Sequence, residues 1–339
     1  MSKINYFLVN SLLIASLFSC QQAPPSKQKT QPGNPAPKAA TPKTPPAPVT
    51  PPVKVNPVPP EPTGLKVSVM AYNLENLFDN VSDNGETPVA DDVFAKKLSR
   101  VAKGILQVQN GQGPDILFVE EVENINALNQ LRDRELAAAG YKTVSLLEGD
   151  DERGIDVGII SRFPVAGEAK LHKMPFSDVN PTRGILEVPL KLPNGKVIRA
   201  FAVHFPSQAN PVEQRKAASE LLRDLMTHAN SDYVVAGGDT NVNNSEEERE
   251  KIYSGIFKDF QVTHLVAPGK WQGSYFYNGR WDYLDAILTR EKVMLPETAT
   301  TPKSAETQLN DNGSPKRFSK TDGTGISDHL PVYVELNLQ

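Results

Sequence analysis

The chain has 339 residues, 39% of them hydrophobic and 22% charged, with a formal net charge of −4 and one cysteine. That is an ordinary globular composition, and a single cysteine excludes any internal disulfide. Residues 1–64 hold six lysines and one glutamate, which leaves the remainder near −9. A domain so charged is a poor general binder of polyanions, whose phosphates are held mainly through Lys and Arg.

The first element is an apolar run from Tyr6 to Phe18, preceded by Lys3. It is too short to span a bilayer comfortably and suits the core of a secretory signal. The run ends in Leu17-Phe18-Ser19-Cys20, which resembles a bacterial lipobox. The resemblance implies that residues 1–19 are a signal peptide and that Cys20 is lipidated. Gln21 and Gln22 follow, with no Asp to retain the protein at an inner membrane, so an outer-membrane address is expected. Residues 20–64 follow as a linker, with fifteen prolines between Pro24 and Pro62. With almost no large apolar side chains, it cannot offset its ordering entropy and is expected to stay extended and solvated. At about 3.1 Å per residue it would reach on the order of 100 Å from a membrane.

From residue 65 to 339 strand-like and helix-like segments alternate. Leu65–Tyr72 reads as a strand, Phe94–Gln107 as a helix with Phe94, Leu98, Val101 and Ile105 on one stripe, and Asp115–Val119 as a short buried strand. Asn126–Ala139 reads as a helix, and Val144–Leu147, Val157–Ser161, Gly184–Leu192 and Val197–His204 as strands. Asn194-Gly195 signals a hairpin between the last two. Pro211–His228 is an amphipathic helix, and Tyr233–Gly237, Leu284–Thr289 and Val332–Leu336 complete the strands. This mixture predicts an α/β domain of two packed sheets flanked by helices.

Polar residues gather at strand ends. Asn73 and Glu75 follow the first strand and Glu120-Glu121 the second; His204, Asp239 with Asn241, Asp285 and Asp328-His329 mark later ones. Carboxylates and carboxamides offer hard oxygens that suit Mg²⁺ or Mn²⁺ better than zinc. Each has a plainer reading alone: a turn cap, a solvated charge pair, a glycine turn at Gly237-Gly238-Asp239.

Their order decides between these readings. Ala71-Tyr72-Asn73-Leu74-Glu75, Pro114-Asp115-Ile116-Leu117-Phe118-Val119-Glu120-Glu121, Asp156-Val157-Gly158-Ile159-Ile160-Ser161, Val203-His204-Phe205-Pro206-Ser207, Gly238-Asp239-Thr240-Asn241, Leu284-Asp285-Ala286-Ile287-Leu288 and Ser327-Asp328-His329-Leu330-Pro331 occur in one sequence. The set resembles the endonuclease/exonuclease/phosphatase superfamily, which includes pancreatic deoxyribonuclease, abasic-site endonucleases, neutral sphingomyelinases and inositol-polyphosphate phosphatases. The resemblance implies a four-layer α/β/β/α sandwich with its site at one edge of the sheets. Glu121 is the leading metal ligand it implies, with Glu75 and Asp328 as further ones; Glu120 stands where many members have Gln. His329 with Asp285 resembles the family's acid/base pair, although a shift of three residues would substitute Asp282. Asp239 and Asn241 would position water and phosphate, Asn73 would orient phosphate or metal-bound water, and His204 would donate to a phosphate oxygen. Thr240 replaces a usual Phe, which alters packing beneath the site. Arg183 is placed either on phosphate or as an exposed arginine at a strand start. Glu148 is a candidate partner of His204, while His172 and His264 read as surface or satisfied core residues.

The expected activity is metal-dependent hydrolysis of phosphodiesters, with nucleic acid as the first substrate class. Trp271, Tyr275, Tyr277 and Trp281 are available either to stack on bases or to pack. The alternative is a lipid phosphodiesterase or an inositol-polyphosphate-type phosphatase. A membrane contact through the lipid on Cys20 and a monomeric state complete the expectations.

Overall fold

The computed structural model describes residues 64–82, 88–290, 292–304 and 307–339. The expected signal segment, Cys20 and residues 21–63 of the linker lie outside them. In chain order the strands are β1 (Leu65–Leu77), β2 (Ile116–Val122), β3 (Thr143–Leu146), β4 (Asp156–Ser161), β5 (Lys170–His172), β6 (Ile185–Lys191), β7 (Val197–His204), β8 (Tyr233–Asp239), β9 (Phe260–Val262), β10 (Tyr275–Tyr277), β11 (Arg280–Asp282), β12 (Asp285–Arg290), β13 (Met294–Thr300) and β14 (Val332–Leu338). The α-helices are α1 (Asp91–Ile105), α2 (Ile125–Gln130), α3 (Val212–His228), α4 (Asn244–Glu250) and α5 (Thr263–Val266). None of these is long and apolar enough to cross a membrane.

Two six-stranded sheets form, ordered β13-β14-β1-β2-β4-β3 and β5-β6-β7-β8-β12-β9, with β10 and β11 as a separate hairpin. Side chains alternate across each strand, and both faces are apolar. On β1, Val67, Val69 and Ala71 point into the space between the sheets, where they meet Val188, Ala200, Val235 and Ile287. Met70, Tyr72 and Leu74 point the other way, onto Phe94, Leu98, Val101 and Ile105 of α1. Phe201, Val203 and Ala236 of the second sheet face Ala218, Leu222 and Met226 of α3. The result is the expected four-layer α/β/β/α sandwich. Burying each large side chain of α1 contributes about 1.5–3 kcal/mol.

The strand and helix positions follow the sequence reading with two informative differences. The segment Asn126–Ala139 is not one helix. Asn124 caps α2 through a 2.9 Å bond to the Ala127 amide, but after Gln130 the chain widens into a five-residue π turn and a short 3₁₀ turn that stops at Gly140. Ala127, Leu128 and Leu131 are buried in its first part, and Leu136 and Ala139 after the π turn join the same core, so the change of winding does not interrupt the burial. Second, β1 runs beyond Tyr72 to Leu77, and the register with β2 breaks between Asn73 and Leu77. Asn73 and Glu75 therefore sit within a bulged strand end rather than after it.

Candidate active site

Strand register sets the site before any side chain is considered. β7 runs parallel to β8, and β8 antiparallel to β12, which aligns His204 with Asp239 and Asp239 with Asp285. In the other sheet Asn73 lies beside Glu120. Two glycines let these rows approach: a Cβ at Gly237 would strike the Phe118 ring, and one at Gly238 (φ 145°) would strike the Glu120 carboxylate across the sheets as well as the Val203 carbonyl of neighbouring β7. Asn73 Nδ2 then reaches Asp239 Oδ2 across the sheets at 3.2 Å. Glu75, Glu121 and Asn241 all have φ between 52° and 58°. Such left-handed backbone costs energy at non-glycine residues, and its concentration here marks a site whose geometry the surrounding fold imposes.

His329 Nδ1 lies 2.7 Å from Asp285 Oδ2, both side chains buried. The ambiguity between Asp285 and Asp282 is resolved geometrically in favour of Asp285, since Asp282 instead accepts from the Asn244 amide at 3.1 Å. Burial opposes charge on His329, yet Asp285, Asp239 and Asp328 together hold its imidazolium well above the ordinary histidine range. Asp239 accepts from the Asn241 amide at 2.9 Å, and burial pushes its carboxyl up to about 7. His204 Nε2 lies 3.5 Å from the same Asp239. Burial and the nearby Arg183 hold His204 well below the usual histidine range, so it is a neutral imidazole. Its carboxylate neighbour is Asp239, not Glu148, which is exposed.

Glu120 is fully buried, and neither carboxylate oxygen has a hydrogen-bond partner among the described residues. Burial, then Asp285 and Asp239, push its carboxyl well above the usual range. A protonated Glu has the shape of a carboxamide, which accounts for its standing where relatives carry Gln. Thr240, in place of Phe, is buried and donates to the Leu284 carbonyl at 2.8 Å; its hydroxyl also meets that of Tyr253. A polar link thus replaces an aromatic ring below the site.

Glu75, Glu121 and Asp328 are half-buried on the open side. Glu121 accepts from the Asn76 amide at 3.1 Å. Glu75 and Asp328 are bridged by Arg317, which bonds the first at 2.6 Å and the second at 2.7 Å. Among the described residues, the group with metal-binding spacing is Asp239, Asp285 and His329, whose ligand atoms lie within 4.8 Å of one another. Arg183 is neither exposed nor free. Only 4% of it is accessible, and its guanidinium donates to the His204 carbonyl at 3.1 Å and pairs with Asp151. It reaches the cleft wall while holding the end of β7.

An open cleft of about 560 Å³ is lined by Glu121, His204, Asp239, Asn241, Asp328 and His329 together with Arg153 and Gln208; Glu75 lines another hollow, with Lys97, Phe318 and Lys320. Tyr275 and Tyr277 form one rim; Tyr275 lies 4.8 Å from the His329 ring, and Tyr277 is 63% exposed. Trp271 and Trp281 pack instead, against Tyr283 and Phe276. His264 is a core residue stacked on Tyr283, and His172 pairs with Glu187. Arg317 and Lys97 are among the residues at the site that the sequence reading did not assign. Arg317 lies in an irregular segment with no periodicity to place it. Lys97 is buried under Glu75, donating to the Ile326 carbonyl at 2.6 Å. Its position three residues after Phe94 and four before Val101, on the apolar stripe of α1, was the available signal.

A sequence profile of the Endonuclease/Exonuclease/phosphatase family matches residues 68–338. No curated protein matches the chain in sequence. Among solved structures, an endonuclease/exonuclease/phosphatase from Beutenbergia cavernae is 17% identical with a TM-score of 0.55, over 80% of this chain and 72% of that one. A family protein from Bacteroides thetaiotaomicron is 17% identical with a TM-score of 0.53, over 82% and 99%. TDP2 from D. rerio, complexed with single strand DNA product, is 17% identical with a TM-score of 0.52, over 80% and 99%. At such identities the likeness is one of fold.

Proposed function

Because the chain belongs to the endonuclease/exonuclease/phosphatase family, whose members are metal-using phosphoric ester hydrolases, we propose that it hydrolyses phosphodiester bonds of nucleic acid with little sequence preference. The observation that carries this reading is the His329–Asp285 pair beside Asp239 at the floor of the cleft. Glu75, Glu121 and Asp328 would hold Mg²⁺ or Mn²⁺. Their hard oxygens suit either ion, and the Arg317 guanidinium between two of them already stands in for a cation. The Asp239–Asp285–His329 group is the other candidate, but there Asp285 Oδ2 is already engaged by His329 Nδ1 at 2.7 Å. A bound ion supplies charge that offsets the phosphate oxygens.

The chain's own residues divide the remaining tasks. Asp239, pushed up to about 7 by burial, is matched to accepting a proton from water near neutrality. Protonated His329 offers Nε2–H to an oxygen that gains charge, and Asp285 holds the ring in place through Nδ1–H. Neutral His204 donates one ring N–H to a phosphate oxygen, and Asn73 and Asn241 orient the ester. Tyr275 and Tyr277 present faces on which a base can stack. The acidic surface predicts weak, salt-sensitive binding of the polymer.

The test is a substrate panel with the full-length protein: single- and double-stranded DNA, RNA, sphingomyelin and small phosphomonoesters, each with Mg²⁺, Mn²⁺ or EDTA. Cleavage of nucleic acid that EDTA abolishes is the expected result. Release of phosphocholine or inorganic phosphate alone would replace nucleic acid with a lipid or monoester substrate. We further propose that the protein is exported and held at the outer membrane by a lipid on Cys20; labelling with radioactive palmitate is expected, and Cys20→Ala abolishes it.

A further inference from the structure

Arg317 occupies the place of a cation. Its Nε lies 2.6 Å from Glu75 Oε1 and its Nη2 2.7 Å from Asp328 Oδ2, so one guanidinium spans two carboxylates that relate to opposite ends of the chain. The backbone that carries it is pinned. The Ile326 amide donates to the Lys316 carbonyl at 2.8 Å, and the Phe318 amide to Glu75 Oε2 at 3.2 Å. Gly325, at φ 76°, lies so close to the Arg317 carbonyl that a Cβ would collide with it.

The side chain is not pinned. It is 69% exposed, so a rotamer change carries the guanidinium into water without moving the loop. Exposed ion pairs contribute little, and their loss is easily offset. Beneath the same carboxylates Lys97 provides a cation that cannot leave. It is 4% exposed, bonded to the carbonyls of Ile326 and Glu75, and packed over the Phe318 ring at 4.9 Å. Glu75 thus has one basic neighbour fixed in place and one exchangeable one.

We propose that Arg317 competes with the divalent ion for Glu75 and Asp328. It holds the two carboxylates in the ion's absence and thereby sets the ion concentration at which the site fills. The inference rests on reading Glu75, Glu121 and Asp328 as the ion's ligands.

Mn²⁺ titration of the full-length protein, followed through the paramagnetic resonance signal of free Mn²⁺, tests this without measuring activity. Arg317→Ala is expected to bind Mn²⁺ about three- to tenfold more tightly than wild type, the loss of two ion pairs made by an exposed guanidinium. Arg317→Lys, which keeps the charge but not the fork, shows a smaller gain. Lys320→Ala is the control, because Lys320 lines the same hollow as Glu75 without bonding either carboxylate among the described contacts. An equal gain in Lys320→Ala reduces the effect to long-range charge and overturns the proposal. Unchanged or weaker binding by Arg317→Ala, with wild type still binding, overturns it and leaves the ligand assignment standing. Absence of Mn²⁺ binding in every protein overturns both.

Discussion

The 2.7 Å contact between His329 Nδ1 and Asp285 Oδ2 joins the segment leading into β14 of the first sheet to the residue that opens β12 of the second. The pair therefore ties the sandwich together at the edge where the cleft opens. Its electrostatics follow from that burial, with three carboxylates offsetting the desolvation of one imidazolium.

Replacing Asp285 with Asn keeps the shape and removes the charge that stabilises protonated His329. Hydrolysis of a chromogenic phosphodiester is expected to fall by roughly 10²- to 10⁴-fold. The alkaline limb of the pH–rate profile, where His329 loses its proton, should move to lower pH in the variant. An unmoved limb would mean that His329 does not act as the protonated donor.

Gly238 and Gly140 both have positive φ but differ in surroundings. A Cβ at Gly238 meets the Val203 carbonyl, while one at Gly140 meets nothing within 4 Å. Gly140→Ala should cost about 1 kcal/mol in urea unfolding, the conformational penalty alone. Gly238→Ala should cost more than about 3 kcal/mol, because rigid backbone must shift at the close approach of β8 to neighbouring β7. Similar costs for the two would contradict the proposed role of that approach.

His264 links stability to pH. Burial holds it down at about 4, below the ordinary value of 6.5. The unfolded chain binds the extra proton between those values, so this contribution is complete above pH 6.5 and is lost as pH falls towards 4. The full shift corresponds to about 3 kcal/mol. Asp156, pushed up to about 6 by burial, acts in the opposite direction, so the difference between wild type and variant is the useful quantity. His264→Phe, stacked in the same place on Tyr283, should flatten the fall in denaturation midpoint between pH 6.5 and 4; a parallel pH dependence for both proteins would refute the assignment.

Arg215 and Glu246 form a buried ion pair, with Arg215 Nε at 2.9 Å from Glu246 Oε2. The same guanidinium donates to the carbonyls of Pro206, Ser207 and Asn210, fixing the loop that forms one wall of the cleft. Arg215→Met should destabilise the protein by about 3–5 kcal/mol, because it strands Glu246. Arg215→Met combined with Glu246→Leu should recover much of that loss in chemical denaturation. Additive losses would show that the charges were not coupled.

Most of the architecture was legible because its strands and helices carry strong periodicity. Val197–His204 and the stripe Phe94, Leu98, Val101 and Ile105 needed no tertiary information. Asn126–Ala139 differs because its apolar side chains stay buried while the backbone passes from α to π to 3₁₀ winding, which the spacing of side chains does not report. The site residues Asn73, Glu121, His204, Asp239, Asn241, Asp285 and His329 were legible through local motifs in a fixed order. Arg183 was harder: nothing in Pro181-Thr182-Arg183-Gly184 tells a solvent-facing arginine from one buried against the end of a neighbouring strand.

The sequence by itself determined the layers, the strand ends that carry chemistry and the acidic character of the domain, since each depends on local pattern or composition. Tertiary structure alone decided that His329 takes Asp285 rather than Asp282, that His204 is neutral, and that Arg317 bridges Glu75 and Asp328. Those outcomes depend on distance and desolvation between groups far apart in the chain, and neither quantity is written in the spacing of residues along it.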